Sequence, residues 1–243
     1  DATDTLENAR SVKTEYEHEK LRIANEIAAL GLARFKEEVA PGKTEAQVAA
    51  AVEQEIRSNG AGYKGANFAR ASAEIRTGPG SYETLLFVPS RSERIMEGDI
   101  VLLELPTVVD GYWSDLTRVT VAGRPTEKQR EVHSLVSRAQ QAAIEEMTAG
   151  TKWGDVDKAA RETIENGGYG DNFPHITGHG LGLRYHENIP LLYPGAEGEL
   201  ETGMVSSVEP GIYIEGWGGI RMEDNIFVTE EGPELLSKFD RTL

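Results

Sequence analysis

Phe173-Pro-His175-Ile-Thr-Gly178-His179-Gly180-Leu-Gly182-Leu-Arg-Tyr185-His186-Glu187 is the stretch from which the rest of the chain can be read. It carries three of the five histidines, set among three glycines. Glycine lets a backbone bend tightly and pass close to a ligand, so these imidazoles stand where a site can form. Such a cluster needs partners, and acids supply them: Glu209 in Ser-Val-Glu-Pro-Gly, Glu223 in Gly-Ile-Arg-Met-Glu-Asp, and Asp115 in Gly-Tyr-Trp-Ser-Asp-Leu-Thr-Arg. An imidazole among several carboxylates is a hard, oxygen-rich donor set, suited to Mn, Fe, Co or Zn ions that activate water. The glycines do not make a phosphate loop, because their spacing is wrong and no Walker lysine follows.

Working back toward the N-terminus, Asp110-Gly111 is a strong two-residue hairpin turn. It sets a register in which Glu104 faces Thr117 and Asp115 faces Pro106, so Glu104 and Asp115 share one face as diagonal neighbours. Two carboxylates so placed can touch one metal or a pair. The alternative is that Asp115 caps a turn and Glu104 is an exposed strand charge. Glu104 lies in Ile-Val-Leu-Leu-Glu-Leu-Pro, where an unpaired carboxylate would be costly. Working forward, Val205 to Val208 reads as a strand running into Glu209, and Ile220 to Val228 as one carrying Arg221 and Glu223. With four carboxylates in strand-like runs around it, His179 reads as a metal ligand. His18 and His133, on polar helix faces, read as structural or surface residues.

The remaining elements follow from periodicity and punctuation. Apolar residues at helical spacing predict a helix from about Lys13 to Val39, stopped by Pro41-Gly42. Thr44 with Gln47 makes a capping box for a second helix ending at Asn59-Gly60. Residues 72–77, 82–88, 99–109 and 112–122 read as antiparallel strands. Thr126 with Gln129 caps a further helix to about Met147, and Trp153 to Asn166 forms another, closed by Gly167-Gly168. The helix bounded by Pro41-Gly42 and Asn59-Gly60 is echoed by the one bounded by Ala149-Gly150 and Asn166-Gly167, about 107 residues on. The expected organisation is one α+β domain, residues 1–243, in two half-units of about 1–124 and 125–243.

Composition narrows the partners. The net charge of -16, with 25 Lys and Arg scattered among 41 acids, excludes the basic face that nucleic acid needs. No cysteine is present, so thiolate chemistry is excluded and any metal must use oxygen and nitrogen donors. With no apolar run long enough to span a bilayer and no signal-peptide pattern, the expectation is a cytoplasmic protein without a membrane partner. The chain begins at Asp1, not Met, which leaves residues upstream an open matter.

Asp115 in Gly-Tyr-x-x-Asp-x-Thr-Arg, His175 and His179 in His-x-x-Gly-His-Gly-x-Gly, His186-Glu187, Glu209-Pro-Gly and Arg221-x-Glu223-Asp together resemble the creatinase/aminopeptidase superfamily of pita-bread proteins. The likeness spans nearly the whole chain, and the Thr-Arg and Arg-x-Glu-Asp pairs are similar to the Xaa-Pro dipeptidase and aminopeptidase P branch. The resemblance implies a fold of two pseudo-symmetric halves, an antiparallel sheet covered by helices. It also implies a two-metal hydrolase, Mn first with Co, Fe or Zn as alternatives, that cleaves the bond before proline in small peptides, and a homodimer. By the same likeness Asp115 and Glu223 bridge or flank the metals, His179 and Glu209 bind one of them, and His175 and His186 contact substrate. The amino-terminal domain of many such proteins is not among these residues.

Two positions depart from that pattern. Glu104 stands where the family has aspartate, and its extra methylene moves the carboxylate by roughly 1.5 Å, against a metal-distance tolerance of about 0.2 Å. Either the strand recedes or one metal position is weakened or lost. Phe87 stands where the peptidases carry a histidine that steadies the reacting carbonyl, and losing one such donor costs about a hundredfold in rate. These departures leave room for a creatinase-like hydrolase or lyase of a small-molecule amide, or an inactive binding module. For amide hydrolysis, Glu209 is the candidate proton shuttle. His186 and Arg221 would orient substrate, or Arg221 would pair with a ligand carboxylate. Tyr185, Trp217 and Phe87 are candidate pocket walls.

Overall fold

The computed structural model describes residues 2–86 and 89–243. Phe87 falls outside them, so the expectation attached to it does too. The first half opens with helices α1 (Thr3–Ser11), α2 (Glu15–Glu38) and α3 (Glu45–Gly60). Strands β1 (Ala69–Ala71), β2 (Glu74–Thr77), β3 (Ile100–Glu104), β4 (Thr107–Val109), β5 (Tyr112–Ser114) and β6 (Thr117–Val121) follow. The second half has α4 (Glu127–Glu145) and α5 (Trp153–Asn166), then β7 (Gly178–Gly180), β8 (Glu187–Leu192), β9 (Val205–Val208), β10 (Gly211–Ile214), β11 (Gly218–Arg221), β12 (Asp224–Thr229) and β13 (Gly232–Leu235). This is the expected α+β arrangement with antiparallel pairing throughout.

Helix starts obey local chemistry. Thr44 with Gln47 and Thr126 with Gln129 form full capping boxes, each threonine oxygen accepting from the third helical N–H while the glutamine reaches back. Thr14 with Glu17 does the same for α2, a box the sequence reading passed over, as it did α1. His18, expected on a polar face, is buried: its ring lies 3.4 Å from that of Phe227 and its Nε2 is 3.3 Å from the Gly203 carbonyl.

The expected strand over 82–88 does not form in its described part. Gly78–Leu86 is a 3-10 helix instead. Gly78 sits at φ +53, and a Cβ there would meet the Asp99 carboxylate at 2.8 Å, so the chain turns out of the sheet where only glycine fits.

The Asp110-Gly111 turn forms with both residues at positive φ, and the register is the expected one: Val109 opposite Tyr112, Thr107 opposite Ser114, Glu104 opposite Thr117. Each long expected strand is broken at the same level, however. Leu105-Pro106 separates β3 from β4, and Asp115-Leu116 separates β5 from β6, so the two ends of the hairpin join different sheets, β2-β3-β6 and β1-β4-β5. Proline has no N–H to donate, which ends a ladder there. The expected strand 220–228 breaks similarly at Met222-Glu223, between the β10-β11 hairpin and the five-stranded sheet β13-β12-β9-β7-β8.

Two large apolar cores result, with a small third cluster of Leu21, Leu181, Val205, Phe227 and Leu236 beside them. One gathers α2 and α3 with Ile75, Val101, Leu103 and Leu105. The other gathers α4 and α5 with Ile100, Leu102, Val119, Val208 and Ile220. Strand β3 alternates between them, which explains its unbroken apolar run, and Glu104 is the last residue on its second-core face.

Candidate metal centre

The breaks in the strands build the centre. Glu104 ends β3, Asp115 sits in the bend before β6, Glu209 follows β9, and Glu223 lies between β11 and β12. Residues beside a bend leave ladder positions unpaired, and side chains fill them. The buried Asn225 amide does this for Asp115, accepting from its N–H at 3.0 Å and donating to its carbonyl at 2.8 Å. The Glu223 N–H reaches the Thr117 carbonyl at 3.2 Å, and the buried guanidinium of Arg118 donates to the Glu223 carbonyl at 2.6 Å and to Asp224 at 2.5 Å.

The glycines act differently from the expectation of close approach to a ligand. A Cβ on Gly178 would lie 2.0 Å from the Ser207 carbonyl oxygen, and one on Gly180 would lie 2.2 Å from that of Ile189. They let β7 lie tightly between its neighbours, which sets the depth of His179.

His179 and the acids meet at one place. The triads His179, Glu209, Glu223 and Glu104, Asp115, Glu223 each offer donor atoms within 4.8 Å of one another, as do Asp115, His179 and His186. Asp115, His179, Glu104 and Glu223 are buried. The His179 Nδ1 lies 2.9 Å from the Gly180 carbonyl, to which it donates its proton. That leaves Nε2 as a bare lone pair 3.3 Å from Glu209 Oε1 and 3.5 Å from Asp115 Oδ2. Burial lowers the His179 pKa, so the ring stays neutral. Burial first, and the Glu223 charge second, push the Asp115 and Glu209 carboxyls well above the usual carboxylate range.

Among the described residues, Asp115 Oδ1, His179 Nε2 and Glu223 Oε1 are buried without a hydrogen-bonding partner. Acceptors facing acceptors are costly unless a cation stands between them. The residues present therefore fit a divalent ion, with imidazole nitrogen and carboxylate oxygen as donors.

Arg221 organises the opposite wall. Its Nη2 pairs with Glu104 Oε2, its Nε donates to Thr117 Oγ1 at 3.0 Å, and its Nη1 donates to the Tyr213 hydroxyl at 3.0 Å. Tyr213 must then donate onward, to His175 Nε2 at 3.0 Å, because His175 Nδ1 is taken by the Ile176 carbonyl at 2.7 Å. Burial holds the His175 pKa down at about 4, consistent with this neutral, fully engaged ring. Tyr213 and Asn225 went unnoticed in the sequence, and Thr117 entered only as the residue facing Glu104 and as part of the Thr-Arg pair after Asp115, with no role of its own.

The centre opens into a cleft of about 290 Å³ lined by Glu104, His175, His179, His186, Glu209 and Arg221. His186 stands at its mouth with its Nε2 4.0 Å from Asp115 Oδ2 and its ring stacked 4.2 Å from Tyr185. The Tyr185 hydroxyl donates to Glu104 Oε1 at 2.7 Å. Trp217 is elsewhere, in the turn between β10 and β11, packed against the second core with the Lys128 ammonium 4.9 Å from its ring centre. A larger depression of about 520 Å³ beside α5 holds none of these groups.

Two helix-backed halves with a shared acid and histidine centre between them define a pita-bread protein. The chain belongs to metallopeptidase family M24, whose pattern matches residues 19–230, and its enzyme class is metallopeptidase. It is 39% identical over 99% of its length to an Xaa-Pro dipeptidase of Pyrococcus furiosus, covering 67% of that protein. Among solved structures, prolidase from Pyrococcus furiosus superposes with a TM-score of 0.91, covering 98% of this chain and 68% of that one. Dipeptidase PepE from Mycobacterium ulcerans, 34% identical, gives 0.92 over 100% of this chain and 63% of that one. The chain thus spans about two thirds of the length of its relatives.

Proposed function

We propose that the chain hydrolyses the bond before proline in small peptides, Xaa-Pro dipeptides foremost, with divalent ions held by Asp115, His179, Glu209 and Glu223. The observation that carries the metal-dependent part is the bare His179 Nε2 aimed at carboxylate oxygens. Specificity for proline rests on likeness to proteins named Xaa-Pro dipeptidase and prolidase. Divalent ions in this site supply Lewis-acid activation of water and of the scissile carbonyl. Two ions, manganese in particular, a cytoplasmic setting, a homodimer and residues 1–243 as one catalytic unit belong to the same proposal; the hard donor set supports manganese.

The chain's own residues do the rest. Glu209 takes a proton from the attacking water and returns it to the leaving nitrogen. Its Oε1 accepts from Ser207 at 3.0 Å, while Oε2 stands 4.0 Å from Arg221 Nε, which holds the carboxyl in place at the cleft. His186 at the mouth orients the substrate. His175, with both ring nitrogens engaged, acts as a fixed wall joined to Arg221 through Tyr213.

The test is metal content and turnover on the same protein, stripped and reloaded with Mn. Cleavage of Ala-Pro well above Ala-Ala, lost on stripping, is the expected result. Bound metal with no cleavage of any Xaa-Pro dipeptide would overturn the substrate assignment and point to another small amide.

A further inference from the structure

The turn that carries His186 is tied down at both ends. Upstream, the Gly182 N–H donates to the Arg184 carbonyl at 3.2 Å, and the Gly182 carbonyl accepts from the Trp113 N–H at 2.8 Å, which fastens the turn to β5. Downstream, the buried Glu187 begins β8, beside His186 in the wall of the cleft. Arg10 Nη2 donates to its Oε1 at 2.5 Å, the Arg184 N–H donates to the same oxygen at 3.3 Å, and Lys13 Nζ donates to Oε2 at 3.0 Å. A Cβ on Gly182 would lie 3.0 Å from Glu187 Oε1 and 3.2 Å from Lys13 Cε, so the turn closes directly onto this ion pair. Lys13 is itself anchored. It is buried, its N–H donates to the Gly203 carbonyl at 2.9 Å, and Val12 bridges to Met204 just ahead of β9.

Solvent reaches 44% of the His186 side chain, so packing does little to place the ring and the chain that bears it does more. A buried ion pair adds little net stability, because desolvation offsets its attraction; one carboxylate gripped by two cations contributes a fixed geometry instead. We propose that Arg10 and Lys13 are positioning residues of the cleft: by clamping Glu187 they hold the neighbouring His186 where it meets the substrate. The proposal deepens the peptidase reading, on which its kinetic arm rests. It gives the end of α1 and the link to α2 a part in orienting substrate, although neither Arg10 nor Lys13 lines the cleft.

The experiment compares two variants by two readouts. Lys13→Met keeps the apolar stem and removes the ammonium; Arg10→Met changes a side chain that is 27% exposed, so it folds even where the first does not. In steady-state cleavage of Ala-Pro by the Mn-loaded protein, kcat/KM should fall about tenfold in either variant with bound Mn unchanged. On a His186→Ala background the same substitutions should change kcat/KM by less than about twofold, because the residue they act through is gone. The second readout is histidine-ring NMR of the metal-free protein, with His186→Ala identifying the signal. The Tyr185 ring, stacked 4.2 Å from that of His186, should displace the His186 resonance in the unaltered chain, and either variant should return it toward the position of a free imidazole. A resonance unmoved in both variants would overturn the proposal, as would an undiminished loss of kcat/KM on the His186→Ala background. No cleavage of any Xaa-Pro dipeptide by the unaltered chain, with the resonance moving as expected, would sink the peptidase reading while upholding the clamp.

Discussion

At the scale of the residue, the centre is a set of acceptors pressed together. That arrangement predicts opposite effects of one substitution on two observables. Glu223→Gln removes a buried charge from beside Asp115 and Glu209, so the metal-free protein should melt no lower than the unaltered one, and by about 1 kcal/mol higher if repulsion dominates. The rise in melting temperature on adding Mn should vanish, since the substituted amide no longer offers an ionised oxygen. A calorimetric scan with and without Mn reads both; a lower apo melting point combined with undiminished stabilisation by Mn would remove Glu223 from the donor set. Tyr213→Phe makes a different kind of break. It severs Arg221 from His175 without touching a proposed ligand, so metal content should hold while kcat for an Xaa-Pro dipeptide falls about tenfold. Residue identity was legible for groups that announce themselves by neighbours, such as His179 among glycines. It was not legible for Tyr213 or Asn225, whose roles depend on which backbone and side-chain partners the fold happens to bring within 3 Å.

At the scale of the element, turn and cap chemistry carried much of the sequence reading, because those signals act over only a few residues. The Asp110-Gly111 turn alone placed Glu104 opposite Thr117. Long-range consequences escaped it: that the expected strand 99–109 would break at proline into β3 and β4 of two sheets, that residues 78–86 would coil, and that Gly178 and Gly180 serve strand against strand. Two predictions belong here. Gly178→Ala puts a methyl group into the Ser207 carbonyl, so β7 must shift; the cost should be about 3 kcal/mol or more in a denaturant titration, with Mn affinity falling because His179 moves with the strand. Asn225→Ala leaves the N–H and carbonyl of Asp115 unpaired in a dry interior and should cost about 2–3 kcal/mol, an effect that urea unfolding resolves directly. Unchanged stability in either variant would show that the bends are held by something other than these contacts.

At the scale of the whole molecule, pH acts through histidines folded into poorly solvated places. His18, on α2 with its ring against Phe227 of β12, has its pKa lowered chiefly by burial, partly offset by its bond to the Gly203 carbonyl. The unfolded chain binds that proton more readily, so the stability His18 contributes is whole above about pH 6.5 and drains as pH falls toward the lower folded value. Melting temperature measured from pH 7.5 down to 5 should therefore decline, and His18→Gln should decline less steeply; parallel curves would acquit His18.

One strand has a further consequence. Because β3 turns Val101 and Leu103 to one core and Ile100 and Leu102 to the other, neither half owns a complete interior. Severing the exposed connection at Gly123-Arg124 should give two pieces that remain sticky and ill-formed when made apart, yet recombine into a working whole when mixed, each lending the other the wall it lacks.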